Sequence, residues 1–246
     1  MTDPRLLFTV ADLLLSRVAR SSDKVVIRSD RGSLTYGEID ERSRVVADNL
    51  HALGVRRGDS VATMVQETHQ AVAVWFACAR AGFVEVPLSV ELKGELLVEA
   101  VQGANCSIVI AGDDPAVIQQ LNSLEERLPR RFEVSSLEHA ASIEERCDQP
   151  LGPDEISLIL YTSGTTGRSK GVRLSDRMTM RLAWSVVAPV GLPGGAVLFP
   201  VFPLPPIVLV CCPKKYLGPG VRLRIMHTLP QTMTGFSAMP ECFGGW

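Results

Sequence analysis

The residues best suited to chemistry lie together in one stretch: Tyr161-Thr162-Ser163-Gly164-Thr165-Thr166-Gly167-Arg168-Ser169-Lys170-Gly171. These eleven residues hold three glycines, five Ser/Thr hydroxyls and a lysine. Glycine permits backbone with φ > 0 and lets a ligand approach the main chain closely. Successive N–H groups and hydroxyls can then converge on anionic oxygens. Lys170 adds a mobile positive charge at the end of the loop, suited to a phosphate that changes charge or position during a reaction. Neither the Walker A spacing nor the G-x-G-x-x-G dinucleotide fingerprint is present. Composition alone leaves two readings open, an anion-binding loop and an ordinary surface turn.

The elements that must position this loop read as strand–helix units. An apolar run, Ile156 to Leu160, enters it as a buried strand, and a second apolar segment, Val172 to Leu174, follows it. Upstream, Phe8 to Ala19 has helical spacing and Val25 to Ile27 is a short strand. Thr35 with Glu38 forms a capping box for a helix that Gly54 ends. Ser60 to Val65, Val84 to Leu88 and Ser107 to Ala111 read as strands. They alternate with helices over His69 to Ala81 and Leu92 to Ala100. Trp75, Phe76 and Cys78 are expected in the core. A helix over Pro115 to Leu128 and a strand over Phe132 to Val134 follow, and after the loop Ser175 or Asp176 caps a helix that runs through Arg181 to Val187. This alternation predicts an α/β fold with parallel strands joined by right-handed crossovers.

The loop resembles the phosphate-binding loop of the adenylate-forming superfamily, which comprises acyl- and aryl-CoA synthetases, luciferases and the adenylation domains of peptide synthetases. Further similarity lies in Leu34-Thr35-Tyr36-Gly37-Glu38-Ile39, Gly58-Asp59-Ser60-Val61, Ala81-Gly82 with Pro87-Leu88, Asp154-Glu155, and Leu174-Ser175-Asp176. Departures are Ser169 where the family usually has Pro, Cys78 for Ala, and Asp176 for the usual His. The resemblance covers about residues 8 to 199 and implies a partial large N-terminal domain with Rossmann-like parallel units. It also implies ATP, Mg2+ and coenzyme A, with a small carboxylic acid activated to an acyl-adenylate and then to a thioester. Thr162, Ser163, Gly164, Thr165, Thr166, Gly167 and Lys170 would hold the β- and γ-phosphates. A fatty-acyl or small-acyl CoA ligase in fatty acid metabolism is the nearest relative implied, with a peptide-synthetase adenylation domain as the alternative.

Several family elements are missing from the sequence. There is no Y-G-x-T-E segment, no T-G-D segment, and no C-terminal hinge and lysine. No catalytic residue and no metal ligand is therefore assigned. From residue 200 the chain changes character. Eight of the sixteen prolines lie between Pro200 and Pro240, and Glu241 is the one acidic residue after Asp176. Residues 200–246 are read as an atypical tail, translated from a shifted frame or disordered. The implied chain is a truncated one, weakly active or inactive, with an inactive nucleotide-binding or interaction remnant as the competing reading. Exposed apolar surface on such a remnant favours self-association.

Composition excludes other classes. Net charge is −2, which supplies no global positive field for nucleic acid. The cluster Lys214, Lys215, Arg222 and Arg224 has no recognised nucleic-acid fold around it. No apolar run approaches the length that spans a bilayer, and the N-terminus lacks a signal pattern, so a cytoplasmic location is expected. Six cysteines, including adjacent Cys211 and Cys212, show no C-x-x-C spacing and read as free thiols. His227 and Cys242 with Cys211 or Cys212 match no strong metal pattern.

Overall fold

The computed structural model describes residues 9–29, 31–139, 147–162, 170–182, 197–198 and 222–224. Two sheets organise them. The larger has six strands in the order β6-β5-β3-β4-β7-β8, and the smaller has four in the order β2-β1-β10-β9.

In the larger sheet, β3 (Ser60–Met64), β4 (Val84–Pro87), β5 (Cys106–Ala111), β6 (Arg131–Glu133) and β7 (Ile156–Thr162) are parallel. Parallel strands need crossover helices on both faces, and the strands are accordingly apolar on both sides. Along β3, Val61 packs on one face, while Ala62 and Met64 pack on the other. Along β5, Ile108 and Ile110 share the first face with α2 (Tyr36–Ala52) and α3 (Thr68–Ala81). Val109 and Ala111 meet α4 (Gly94–Gly103) and α5 (Pro115–Asn122) on the second. The Rossmann-like α/β expectation holds here.

The smaller sheet begins with a hairpin. β1 (Val25–Ser29) pairs antiparallel with β2 (Gly32–Thr35), a strand the sequence reading merged into the helix start. Thr35 belongs to β2 and also caps α2, completing the expected capping box with Glu38. α1 (Val10–Ser21) starts from a second capping box, Thr9 with Asp12, and packs on this sheet through Val10 and Leu14. Of residues 200–246 only 222–224 are described; they form β10 (Arg222–Arg224), parallel to β1 and to β9 (Val197–Leu198). The expected strand at Ile207 to Val210 lies outside the described residues. Within 115–139, α5 is shorter than expected, and a short α6 (Val134–Leu137) follows β6 directly.

Arg80 and Glu85 are among the polar side chains buried inside this frame. Arg80 of α3 is 5% exposed and fully engaged. Its Nη2 meets Asp40 Oδ1 at 2.7 Å and its Nε meets Asp148 Oδ1 at 2.9 Å, while Nη1 donates to the Asp40 carbonyl and to Ser43 Oγ. It therefore ties α3 to α2 and to the segment entering β7. The helix end beside it needs a glycine: Gly82 has φ +72°, and a Cβ there would lie 2.3 Å from the Gln149 carbonyl oxygen.

Glu85, in the middle of β4, is less well provided for. Its Oε1 accepts from Thr63 Oγ1 at 3.0 Å, but its buried Oε2 has no partner. Burial pushes its carboxyl up from 4.5 to about 7, with the Thr63 hydrogen bond opposing. Burial first, then the Glu85 charge, also holds the neighbouring Cys78 thiol well above its ordinary value. Because the folded pKa is the higher one, the folded chain binds more protons than the unfolded one between about 4.5 and 7. Stability therefore falls as pH rises through that window, by on the order of 3 kcal/mol for a shift of this size. We expect urea unfolding from pH 5 to pH 8 to show that loss, and Glu85→Gln to flatten it. An equal pH slope in the variant would contradict the assignment.

Candidate functional site

β7 runs parallel to β4, so Thr162 leaves at the carboxyl-terminal side of the parallel strands, where open α/β sheets hold their ligands. The next described strand, β8 (Lys170–Ser175), returns antiparallel to β7 and forms the edge of the sheet. The spacing had left this segment without a direction. Thr162 and Lys170 are Cα partners in that ladder, so the two ends of the glycine-rich loop stand opposite each other. Lys170 is exposed. Ser163, Gly164, Thr165, Thr166 and Gly167 lie outside the described residues.

The base of this hairpin is clamped by charge. Arg57 Nη2 contacts Glu155 Oε2 at 2.5 Å, and Arg177 holds Asp154 through both carboxylate oxygens, at 2.5 and 2.7 Å. Asp154 and Glu155, expected as an acidic entry to the strand, are thus structural anchors. Both carboxyls are held below their ordinary values, chiefly by the arginine hydrogen bonds. The helix after β8, residues 176–182, starts at Asp176, with Ser175 Oγ accepting from Met178 N at 3.3 Å. Ser175, of the two candidates, makes that capping contact.

Asp176 turns away to a different task. Its Oδ2 accepts the Val10 N–H at 2.8 Å and its Oδ1 accepts Ser157 Oγ at 2.5 Å. One buried carboxylate therefore receives an orphan N–H from the first turn of α1 and fixes the start of β7. Burial pushes this carboxyl above its ordinary value, against the hydrogen bonds that favour its charged form. The sequence offered Asp176 as a departure from histidine and as a candidate helix cap; its partners are 166 and 19 residues away.

A second cleft opens at the same edge of the sheet. It measures about 510 Å³ and is lined by Met64, Gln66, Glu67, Gly112, Asp113 and Asp114 among others. It sits where β3 sends its crossover to one face and β5 to the other, a topological switch point. Three carboxylates, Glu67, Asp113 and Asp114, line it against one cation, Arg31, a balance that does not favour a phosphate. Glu67 already accepts from the His69 and Gln70 N–H groups at the start of α3, and Asp114 from Ala116 N at the start of α5. Asp113 adds a further carboxylate, bound by Gln70 Nε2 at 2.6 Å. Among the described residues, no group of three or more His, Cys, Asp or Glu side chains could hold a metal ion. None of their helices is long and apolar enough to cross a membrane.

Removing the Asp176 carboxylate leaves the Val10 N–H and the Ser157 hydroxyl without their acceptor. We expect Asp176→Ala to cost about 2–3 kcal/mol in urea unfolding, and Asp176→Asn less, since an amide still offers one acceptor. Equal stability of Asp176→Ala and the unsubstituted chain would contradict the clamp.

Comparison with known proteins identifies the family. The AMP-binding enzyme family matches residues 14–208. A feruloyl-CoA synthase from Amycolatopsis sp is 33% identical over 171 residues, which cover 70% of this chain and 33% of that protein. Nonribosomal peptide synthetase 8 of Aspergillus fumigatus is 31% identical over 170 residues, covering 68% of this chain and 2% of that one. The chain thus spans about a third of the length of the first relative and far less of the second. Among solved structures, the o-succinylbenzoate CoA synthetase of Bacillus subtilis in complex with AMP superposes with a TM-score of 0.75 at 20% identity, over 89% of this chain and 56% of that one. VinN with 3-methylaspartate gives 0.73 at 23% identity, over 89% and 62%. These last two likenesses establish the adenylate-forming fold. By the family match and its relatives, the chain belongs to the AMP-binding enzymes.

Proposed function

We propose that this chain supplies the ATP-phosphate-holding part of a carboxylic-acid-activating site. The observation that carries the reading is the β7–β8 hairpin, which brings Thr162 and Lys170 opposite each other at the carboxyl edge of the sheet in a member of this family. Thr162, Ser163, Thr165 and Thr166 would offer hydroxyls to the β- and γ-phosphates. Gly164 and Gly167 would let the backbone N–H groups close in, and Lys170 would balance charge.

In the reaction so assigned, a carboxylate oxygen of a small acid attacks the α-phosphorus of ATP. The bond to the β-phosphate breaks and pyrophosphate leaves with its electron pair. Donors fixed around the departing phosphates help most where charge accumulates in the transition state. Coenzyme A then attacks the acyl carbon of the adenylate, giving a thioester and AMP. Similarity to a feruloyl-CoA synthase supports the thioester step; similarity to a peptide synthetase supports transfer to a carrier thiol instead. Magnesium would travel with the ATP phosphates and supply charge neutralisation there.

The sequence has no Y-G-x-T-E or T-G-D segment, so no residue is assigned to adenine or ribose. We therefore read these 246 residues by themselves as phosphate-binding with little or no turnover. Lys170→Ala should weaken pyrophosphate binding, measured by calorimetry, by about tenfold or more, the loss expected for a charge-assisted contact. ATP–pyrophosphate exchange with mixed carboxylic acids should stay near background. A folded chain that binds no pyrophosphate would overturn the phosphate assignment, and strong acid-dependent exchange would overturn the low turnover.

A further inference from the structure

β7 is held very unevenly along its length. Its ladder to β4 consists of one register pair, Glu85 with Leu158, among the described residues. The braces on Asp154, Glu155 and Ser157 all lie at the base of the hairpin. Beyond Leu158 the strand continues through four residues to the loop, with β8 outside it as the sheet edge. At that far end, Tyr161 donates its hydroxyl to the Ala100 carbonyl of α4 at 2.8 Å. The same carbonyl already accepts Ala104 N at 3.1 Å, so the acceptor is fixed by the last turn of the helix.

The seat for this side chain is made by two glycines. Gly171 is the Cα partner of Tyr161 in the hairpin. A Cβ at Gly171 would stand 3.3 Å from the tyrosine Cζ and 3.0 Å from Ile159 Cγ2. Gly103, the last residue of α4, leaves room for the hydroxyl: a Cβ there would stand 3.0 Å from it. The ring packs on the apolar cluster of the second sheet face. A tyrosine kept for packing alone would need the ring. Here the hydroxyl makes the polar tie between the loop half of β7 and a crossover helix.

We infer that Tyr161 is the positioning residue of the phosphate loop: by fixing the loop end of β7 on α4, it fixes Thr162 and, through the hairpin, Lys170. The inference rests on the proposed phosphate-holding role. It goes beyond that role by placing the restraint in a side chain that touches no phosphate. Tyr161 acts through the two ends of the loop, so its loss lowers ligand affinity more than it lowers stability.

The test is calorimetric MgATP and pyrophosphate binding to the whole chain, with urea unfolding of each variant alongside. Tyr161→Phe keeps the ring and removes the tie; binding of both ligands should weaken about three- to tenfold, as for loss of one part-buried hydrogen bond. Gly103→Ala provides a second route, because alanine favours a helix while its methyl crowds the hydroxyl. It should weaken binding with stability equal or higher, and it should cause no further loss when added to Tyr161→Phe. Should Tyr161→Phe fail to fold, Gly103→Ala alone decides. Unchanged affinity in both variants, with wild-type binding intact, overturns this inference alone. No binding by the unsubstituted chain overturns the phosphate assignment and this inference with it.

Discussion

The attachment of β7 beside β4 determines where the glycine-rich loop stands and what can hold it there. A parallel strand cannot be joined to its neighbour by a tight turn, so β7 arrives after a long excursion through β5, α5 and β6. It then has to be captured by side chains. The capture is electrostatic at the base, through Arg57, Arg177 and Asp176, and rests on a phenol at the loop end. Because β8 lies outside β7 at the sheet edge, these contacts carry the orientation of the hairpin.

Charge separates the two candidate places at the carboxyl edge. The cleft between β3 and β5 has the right topology for a ligand, yet its helix N-termini are filled by Glu67 and Asp114 and its wall carries Asp113. A phosphate there would face three carboxylates against the single guanidinium of Arg31. The hairpin instead presents Lys170, with exposed Arg173 on the same strand. Topology alone would favour the switch point; the sign of the local charge favours the hairpin. The chain spans about a third of the length of its feruloyl-CoA synthase relative.

Much of this was legible in the sequence because it depends on local chemistry. The Thr35–Glu38 capping box, the αL glycine at Gly82 and the apolar strands each announce themselves within a few residues. The loop was legible as a motif, and its two ends as Thr162 and Lys170. What stayed hidden depends on partners far along the chain. The antiparallel return of β8 depends on its pairing with β7, and β2 was obscured because Thr35 serves a strand and a helix cap at once. The roles of Asp176, Arg80 and Tyr161 are set by Val10, Asp40 and Ala100, each dozens of residues away or more. Glu85 lies within the strand expected over Val84 to Leu88, and nothing local said that one of its oxygens would be left without a partner.

The most direct measurement is hydrogen–deuterium exchange of the whole chain with and without MgATP. The account predicts that added protection concentrates in peptides spanning 156–175, strongest near Thr162 and Lys170, with little change around Gly112 to Asp114. Protection centred on the β3–β5 cleft, with the hairpin unchanged, would contradict it and place the nucleotide elsewhere.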